Sequence, residues 1–393
     1  MTSVRTSNAV RSLRHSASDR PFLVIWEATR ACALACRHCR AEAAPLRDPA
    51  ELTTDEATEL MAQIASFGKP PPIFVITGGD PFERPDLVEL VRRGRGFGLP
   101  VAVSPSGTER LSAQSLRELQ EVGLTAISLS LDGADAGVHD DFRGITGTFD
   151  RTLAGWDAAL ELGLKVQINT TVARHNVGQL ADIAALVHGR GAMTWSAFML
   201  VPTGRGTDLQ SLEAAEVEDV LNFLYDVGHT IAARTTEGHH FRRVVLERTE
   251  LEKRGIDHVS MLGLGELYLA LTDRARELGL IAAERTRRPP INVNAGSGFV
   301  FISHHGDVHP SGFLPIGAGN IRSESLTTIY QQSALFVGLR DPGQLLGRCG
   351  ECEFNTVCGG SRSRALAVTG NVWETDPLCN YQPGSFPFDV TSS

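Results

Sequence analysis

The chain has 393 residues, of which 42% are hydrophobic and 21% are charged, and this balance is ordinary for a globular protein. Its length predicts one large domain and a smaller one. The formal net charge of −9 argues against a nucleic-acid partner, and no apolar run reaches the length of a membrane span. The segment 1–20 is rich in Ser and Arg and lacks the apolar core of a secretory signal, so we expect a disordered arm rather than a transit peptide.

The first half of the chain alternates short β-branched runs with helical patterns. Strands are predicted at 22–26, 73–77, 101–104, 125–131, 164–172 and 193–201. Helices follow the earlier strands: one is capped by Thr54, and the others are predicted at 85–97, 113–122, 150–162 and 179–187. Successive βα units of this kind predict an α/β fold in which helices cover a parallel sheet.

The pattern weakens after residue 205. Helices are predicted at 212–227 and 264–278, a basic linker at 285–290, and a hairpin at 297–307 that turns at His305-Gly306-Asp307. Beyond Cys349 the chain is rich in loops, so we expect bound ligands, more than an apolar core, to hold this part together.

The seven cysteines fall into two groups. Three lie in Cys32-x3-Cys36-x2-Cys39, and four lie close to the carboxyl end of the chain, at Cys349, Cys352, Cys358 and Cys379. An odd number of cysteines fits a disulfide framework poorly. One open cluster uses three cysteine ligands, and one closed metal site uses four. Cysteines that serve as metal ligands rather than in disulfides indicate the reducing cytoplasm.

Unusual residues follow three successive predicted strands. The cysteine triad follows the first strand, Gly78-Gly79-Asp80-Pro81 follows the second, and Ser106-Gly107-Thr108 follows the third. Binding sites in folds with parallel sheets lie at the carboxyl ends of the strands. The sequence therefore predicts one site at this edge of the sheet.

Three thiolates at the spacing of the triad can hold three irons of a [4Fe–4S] cube and leave the fourth iron open. Structural zinc sites use four ligands, and His38 would strain the loop as a fourth ligand between two others. This spacing resembles that of the radical S-adenosylmethionine (SAM) superfamily. The resemblance implies a partial (β/α)6 barrel, in which SAM chelates the open iron and is cleaved to a 5′-deoxyadenosyl radical that takes hydrogen from the substrate.

The same resemblance implies the SAM contacts, position by position. Gly78-Gly79-Asp80-Pro81 is similar to the family's Gly-Gly-Glu-Pro stretch, whose backbone receives the SAM amino group, although Asp stands here in place of Glu. Arg143 is implied to face the SAM carboxylate, where the alternative is a surface ion pair. The other implied contacts, for ribose, the amino-acid end and adenine, are Ser106, Ser128, Ser130, Asp132, Leu200 and Val201.

The four later cysteines form the pattern Cys349-x2-Cys352-x5-Cys358-x20-Cys379. Zinc is the alternative occupant, because zinc ribbons also use a Cys-x2-Cys arm. Beside the triad, the pattern resembles the SPASM/twitch extension of radical SAM enzymes. The full SPASM pattern has seven cysteines, and here Arg362 stands where a further cysteine is expected. One auxiliary [4Fe–4S] cluster is therefore implied, with all four irons held by protein.

The segment from Cys358 to Ala365, together with Asp376-Pro377-Leu378-Cys379, resembles radical SAM enzymes of the alternative haem pathway, which trim or decarboxylate tetrapyrrole side chains. The alternative is that this segment only shapes the loop around the auxiliary cluster. A second candidate for substrate contacts is 235–243, in which His239, His240, Arg242 and Arg243 can face a haem-like substrate and its carboxylates or can be structural.

Taken together, the sequence predicts a radical SAM enzyme that oxidatively modifies a substrate, with a carboxylated tetrapyrrole as the favoured class. Alternatives are a maturase of a ribosomal peptide, a tailoring enzyme for a small natural product, and a haem or iron–sulfur carrier. A reductase such as flavodoxin or ferredoxin is the expected partner. The expected division is an arm at 1–20, the barrel at 21–235, a helical substrate-facing region at 236–295, and the auxiliary domain at 296–393.

Overall fold

The computed structural model describes residues 9–281 and 288–390. The first half contains a strand-and-helix alternation, in the order β1 (Leu23–Glu27), α1 (Thr54–Ser66), β2 (Ile73–Thr77), α2 (Leu87–Gly96), β3 (Val101–Val103), α3 (Ala113–Glu121), β4 (Ala126–Ser130), α4 (Ala136–Arg143), α5 (Thr148–Glu161), β5 (Lys165–Val172), α6 (Leu180–Gly189) and β6 (Thr194–Met199).

The second half continues with α7 (Ala214–Val227), β7 (Ala233–Thr236), α8 (Phe241–Arg254), α9 (His258–Leu262), α10 (Glu266–Glu277), β8 (Asn294–Ala295), β9 (Gly298–Ile302), β10 (Asp307–His309), β11 (Gly319–Asn320), α11 (Leu326–Gln332), α12 (Ala334–Leu339), α13 (Gly347–Glu351) and α14 (Arg362–Thr369). None of the described helices is long and apolar enough to cross a membrane. The predicted linker at 285–290 lies partly outside the described residues.

All of these strands belong to one sheet, in the order β11-β10-β9-β1-β2-β3-β4-β5-β6-β7, with β8 beside β9. The strands from β1 to β7 pair in parallel, and β9 pairs in parallel with β1, whereas β10 and β11 are antiparallel. The predicted α/β fold with a parallel sheet is confirmed. The proposed boundary at 235 falls inside β7, and the predicted hairpin extends the sheet of the barrel through β9 and β10.

The two faces of the sheet have opposite character. One face packs its apolar side chains, such as Val24, Trp26 and Phe74, against the helices in a single buried core. The opposite face forms the inside of the partial barrel and carries a polar row on its central strands, at Ser104, Ser128, Ser130, Gln167, Asn169 and Ser196. We call this the inner face. A polar interior of this kind is suited to a polar ligand rather than to a packed core.

Several predicted helix starts are wrong by one or two residues, for local reasons. Thr53, not Thr54, caps α1, because its side chain accepts the Glu56 N–H while the Glu56 carboxylate accepts the Thr53 N–H. The predicted helix at 85–97 begins at Leu87, after a short 3-10 turn at Pro81–Glu83. The helix α4 was not predicted, since Gly137 and its two aspartates weaken the periodic pattern.

Candidate functional site

The loop that carries the cysteine triad begins directly after β1 and is held by backbone hydrogen bonds to two other segments. Cys32 N donates to Ala44 O at 2.9 Å, and Arg37 N donates to Phe142 O at 2.9 Å. Cys32 and Cys36 are each 8% exposed, and Cys39 is partly exposed. All three thiols are free. These hydrogen bonds tie the loop to two other segments, and two of its three sulfurs are buried.

The surroundings of these sulfurs fit an iron–sulfur cluster. Burial raises the pKa of Cys32 to about 11, although the Leu34 N–H and Ser106 oppose this shift. The Leu34 N–H lies 3.4 Å from the Cys32 sulfur, and Arg143 Nη1 lies 3.7 Å from the Cys36 sulfur. Hydrogen-bond donors aimed at sulfur are typical of cluster sites, and a bound cation deprotonates thiols that burial alone would keep neutral.

The two glycines after β2 are required by close packing against the triad loop. A Cβ atom on Gly78 would lie 2.3 Å from Thr29 O, and one on Gly79 would lie 2.4 Å from Ala31 O. Gly78 also has a φ of 153°. The Gly79 N–H donates to Thr29 O at 2.8 Å, so the strand end and the start of the triad loop are joined directly.

Asp80 joins the ends of the second and third strands. Its carboxylate accepts the Thr108 hydroxyl at 2.7 Å and the Phe82 N–H at 3.1 Å, and it is fully buried. Burial raises the pKa of Asp80, although these donors oppose the shift. Ser106 donates its hydroxyl to Gly79 O at 2.7 Å, which brings the residues predicted at two strand ends together. The shorter Asp fits here because its partners are the chain's own loops.

Asp132 and Arg143 form a buried ion pair beside Cys36. The Asp132 carboxylate also accepts the Thr171 N–H at 2.7 Å, and the Asp132 N–H donates to His139 Nδ1 at 3.1 Å. Arg143 and two histidines hold the pKa of Asp132 below its usual value against the effect of burial. The two predicted SAM contacts therefore lie side by side at the triad and hold each other in place.

Ser128 and Ser130 lie on the inner face, as do their neighbours on β5. The Ser128 hydroxyl donates to the Ser104 hydroxyl at 2.8 Å across β3 and β4. Leu200 and Val201 follow β6 and are 5% and 4% exposed. The Leu200 carbonyl accepts Arg364 Nε at 3.2 Å, so this strand end is joined to the C-terminal region.

The four later cysteines line one pocket, together with Arg243, Arg348 and Tyr381. Burial raises the pKa of Cys358 to about 12, although Arg242 opposes it, and raises that of Cys379 to about 12, although Arg243 opposes it. Donors point at the sulfurs here as well: Gly360 N lies 3.4 Å from the Cys358 sulfur, and Asp376 N lies 3.4 Å from the Cys349 sulfur. The structure thus brings the predicted four thiols together in surroundings that fit a cluster.

Arg362, which occupies the position of a further SPASM cysteine, is itself aimed at this pocket. Its Nη2 atom lies 3.6 Å from the Cys349 sulfur, and its Nη1 atom donates to Val372 O at 2.9 Å and to Glu374 O at 2.7 Å. At this position Arg362 supplies a hydrogen-bond donor to the Cys349 sulfur in place of a further cysteine ligand. This agrees with one closed auxiliary site rather than two.

A fully buried polar network joins the four-cysteine pocket to the barrel. Arg364 donates to both oxygens of Asp376 at 2.9 and 3.0 Å, and to the backbone carbonyls of Leu200 and Glu237. Although burial opposes it, Arg364 and His240 hold the pKa of Asp376 at about 2. The Glu237 carboxylate accepts three hydroxyl groups, those of Ser311, Ser361 and Ser363. We call Glu237, Ser361, Ser363, Arg364 and Asp376 the bridging network.

Comparisons with known proteins agree with these two sites. The profile described as "Radical SAM superfamily" matches residues 26–187. The AdoMet-dependent heme synthase of Oleidesulfovibrio alaskensis is 38% identical over 369 residues, which cover 93% of this chain and 88% of the relative. This chain belongs to the radical SAM superfamily. It is therefore an enzyme of the class that carries a [4Fe–4S] cluster and SAM, and the carrier alternative is set aside.

Two further comparisons agree with this assignment. The Fe-coproporphyrin III synthase of Methanosarcina barkeri is 29% identical over 92% of this chain and 88% of the relative. The crystal structure of Streptococcus suis SuiB bound to S-adenosylmethionine has a TM-score of 0.64 at 15% identity and covers 94% of this chain and 78% of its own. The second comparison supports the fold, a partial barrel with a C-terminal extension.

The structure gives both arginines of the segment 235–243 partners within the chain. Arg243 forms buried ion pairs with Glu218 and Glu247, and Arg242 donates to the carbonyls of Ile291 and Val293 at 3.2 Å each. These contacts occupy the Nη atoms of both guanidinium groups, whereas the two Nε atoms are buried without a hydrogen-bond partner among the described residues.

Both histidines of this segment also face the protein interior. The two ring nitrogens of His240 lack a hydrogen-bond partner among the described residues, and burial lowers the pKa of His240 to about 4. Burial lowers the pKa of His239 well below its usual value. Both rings are therefore neutral and enclosed by protein. Near the hairpin, His304 pairs with Glu27 and His305 with Asp48, each at 3.0 Å.

Sequence reasoning missed three residues close to the sites. Arg205 donates to Cys36 O at 2.9 Å, and its Nη2 atom is buried without a hydrogen-bond partner among the described residues. Glu237 has a φ of 55° and anchors the bridging network. Arg234 lies on the inner face through the unpredicted strand β7. Of these three residues, only Arg205 could have been found from the sequence, because it follows soon after the end of a predicted strand.

Proposed function

We propose that this radical SAM enzyme oxidatively decarboxylates side chains of an iron tetrapyrrole. The observation that carries the proposal is the near full-length similarity to an AdoMet-dependent heme synthase, at 38% identity over 93% of the chain. A ribosomal peptide is the competing substrate class.

In this proposal Cys32, Cys36 and Cys39 hold the SAM cluster. When bound, the reduced cluster and SAM supply a 5′-deoxyadenosyl radical, which removes a hydrogen atom from a propionate side chain that then loses carbon dioxide and one electron. The remaining SAM contacts are the predicted set, namely Gly78, Gly79, Asp80, Pro81, Ser106, Ser128, Ser130, Asp132, Arg143, Leu200 and Val201.

The chain's own residues position the reactants. The Asp132–Arg143 pair holds a positive guanidinium against the triad, where the SAM carboxylate is expected, and its burial removes water that would weaken such a contact. The glycines after β2 let that strand end press against the triad loop, so that SAM and cluster share one rigid edge. Rigid placement of this kind favours hydrogen abstraction over side reactions.

Cys349, Cys352, Cys358 and Cys379 are proposed to hold one auxiliary [4Fe–4S] cluster. Four cysteine ligands leave no iron open, so the role we assign to this site is the removal of the surplus electron rather than substrate binding. The bridging network supports this role because it fixes the pocket against the end of β6. Zinc in the same four thiols is the competing occupant.

We further propose that the reductant is a flavodoxin or a ferredoxin. The seven free thiols fit the reducing cytoplasm. We keep the division into the barrel at 21–235, the helical region at 236–295 and the auxiliary domain at 296–393. The shared sheet makes the last of these an extension of the barrel. The arm proposed at 1–20 is not disordered over its described residues, because Arg11 pairs with Ile291 and Tyr330 donates its hydroxyl to Ala17 O.

The proposal is tested with anaerobically reconstituted, reduced protein, SAM and iron coproporphyrin III. We expect 5′-deoxyadenosine and a tetrapyrrole that has lost carbon dioxide, both followed by mass spectrometry. Boiled protein and a reaction without SAM are the controls. If SAM is cleaved but the porphyrin is recovered unchanged, the substrate assignment is wrong, and precursor peptides become the next class to test.

A further inference from the structure

One arginine on the inner face has no carboxylate partner among the described residues. Arg234 lies on β7, where it is in register with Ser196 on β6, and Ser196 is in turn in register with Asn169 on β5. Its Nη2 atom donates to Gln167 Oε1, and Gln167 Nε2 donates to Asn169 Oδ1 at 2.7 Å. The guanidinium therefore extends across β6 on the polar side of the sheet, where neutral amides are its partners.

This arrangement differs from that of three buried arginines elsewhere in the protein. Arg143, Arg243 and Arg248 each form an ion pair with a carboxylate in the part of the chain that the structure describes. Arg234 has no such pair, and the charged group that acts on it is another cation, Arg288. Neither arginine has an ion pair within the described ranges.

The side chain of Arg234 is exposed to solvent, although many protein atoms surround its guanidinium. Burial, with a smaller contribution from Arg288, lowers the pKa of Arg234 to about 10, although solvent reaches the side chain. An exposed cation on the inner face can be reached by a ligand that enters the open lumen of the partial barrel. A cation in such a place favours an anionic ligand, and guanidinium binds carboxylate through two parallel hydrogen bonds.

We propose that Arg234 is a binding site for a carboxylate of the substrate, with Gln167 orienting the guanidinium and Arg288 adding a second positive charge. The inference rests on the proposed tetrapyrrole substrate, whose side chains carry carboxylates. Arg234 is two residues before the carboxyl end of β7, below the edge where the triad lies. A carboxylate held there anchors one side of the substrate inside the barrel, so that another side faces the triad.

The test compares Arg234→Gln and Arg234→Lys with the wild type by absorption titration of the reconstituted protein. The probes are iron coproporphyrin III and its tetramethyl ester, which has no free carboxylate. Arg190→Gln is the matched control, because Arg190 forms an exposed ion pair with Asp157 outside the barrel. Thermal melting of each variant checks that it is folded.

We expect the Kd of the acid to rise about 10- to 100-fold in Arg234→Gln, the loss for one charge-assisted contact, and less in Arg234→Lys. The Kd of the ester should not change, and Arg190→Gln should match the wild type. An unchanged Kd for the acid in Arg234→Gln overturns the inference alone. An equal loss of affinity for the acid and the ester in Arg234→Gln also overturns it, because the contact would then not depend on a carboxylate. A tenfold loss of SAM affinity overturns it too, since Arg234 would then bind SAM. If the wild type does not bind the acid, the tetrapyrrole proposal fails as well.

Discussion

The triad site and the four-cysteine site have similar thiols but different supports. In both, burial raises cysteine pKa values and N–H donors point at sulfur. The triad is supported by neighbouring strand ends and one ion pair, and it offers three sulfurs to a cluster. The four-cysteine site is supported by the bridging network, whose polar atoms are all buried. This contrast agrees with a cluster at the triad that leaves one iron open for a ligand, and a cluster at the four cysteines that leaves none open.

The bridging network also explains what the C-terminal motif does. Ser361, Ser363 and Arg364 each contact Glu237, and Arg364 reaches the end of β6 as well. The motif therefore shapes the loop around the auxiliary site, as the structural alternative held, and it also fixes that site to the proposed SAM pocket. What the motif shares with haem-pathway enzymes is then the way in which the four-cysteine site is fixed relative to the triad site.

Removing one ligand of the open site should have the largest effect. In Cys36→Ala we expect SAM cleavage to fall to background, because two sulfurs cannot present the open iron. Bound iron should fall from about eight to about four atoms per chain. Product analysis and iron determination on the same sample check both. Residual cleavage near the wild-type rate would contradict the assignment of the triad.

Removing one ligand of the closed site should separate the two halves of the reaction. In Cys358→Ala we expect about four irons per chain, retained cleavage of SAM, and loss of the tetrapyrrole product, because the electron leaves through this site. Cys36→Ala serves as the matched comparison. Loss of zinc rather than iron from Cys358→Ala would show that the pocket is a zinc site.

Cutting the bridging network should weaken the closed site more than the open one. Arg364→Met leaves the buried Asp376 carboxylate without its cation, which costs about 3–5 kcal/mol of stability. We expect a lower melting temperature and faster loss of the auxiliary cluster during dilution. Arg276→Met, which removes an exposed ion pair with Asp273, is the control and should behave like the wild type. Equal melting temperatures and equal rates of cluster loss in the two variants would show that the bridging network does not stabilise the four-cysteine site.

Acid should destabilise the protein through buried neutral histidines in both regions. Near the triad, burial lowers the pKa of His139 to about 4, and Arg143 adds to this shift. Near the four-cysteine site, burial lowers the pKa of His240 to about 4 as well, although Asp376 and Glu218 oppose this shift. The unfolded rings take up a proton near pH 6.5 and the folded ones near pH 4. Stability is therefore fully present above pH 6.5 and falls by about 2 kcal/mol per histidine between pH 7 and 5.

Melting temperatures measured between pH 7 and 5 check this dependence. In His139→Gln the slope should be shallower, because the amide oxygen can accept the Asp132 N–H without taking up a proton. An identical slope in the variant would show that His139 is protonated in the folded protein.

Local patterns predicted the parts of the structure that depend on local chemistry. The strand β2 matches its prediction at both ends, because a run of prolines precedes it and Gly78 follows it. The two cysteine groups were found by spacing alone, and the structure brings each group together. The pairing of β9 with β1 was not predictable, since the two strands are far apart in sequence and no local pattern encodes the pairing.

Residues whose role depends on a distant partner were missed or misread. Arg243 reads as a free cation in the sequence, and only its packing against Glu218 and Glu247 shows that it is structural. Arg234 was missed for the opposite reason: its strand is short, and its importance lies in the absence of a partner among the described residues. Glu237 gained its meaning only when three serines from two other segments were placed around it.

The most direct test of one open and one closed cluster is electron paramagnetic resonance of the reduced, reconstituted protein, recorded with and without SAM. The account predicts two cluster signals, of which SAM shifts one. The shifted signal should be missing from Cys36→Ala and present in Cys358→Ala. If SAM shifts a signal that persists in Cys36→Ala, the open iron is not at the triad and the central claim is wrong.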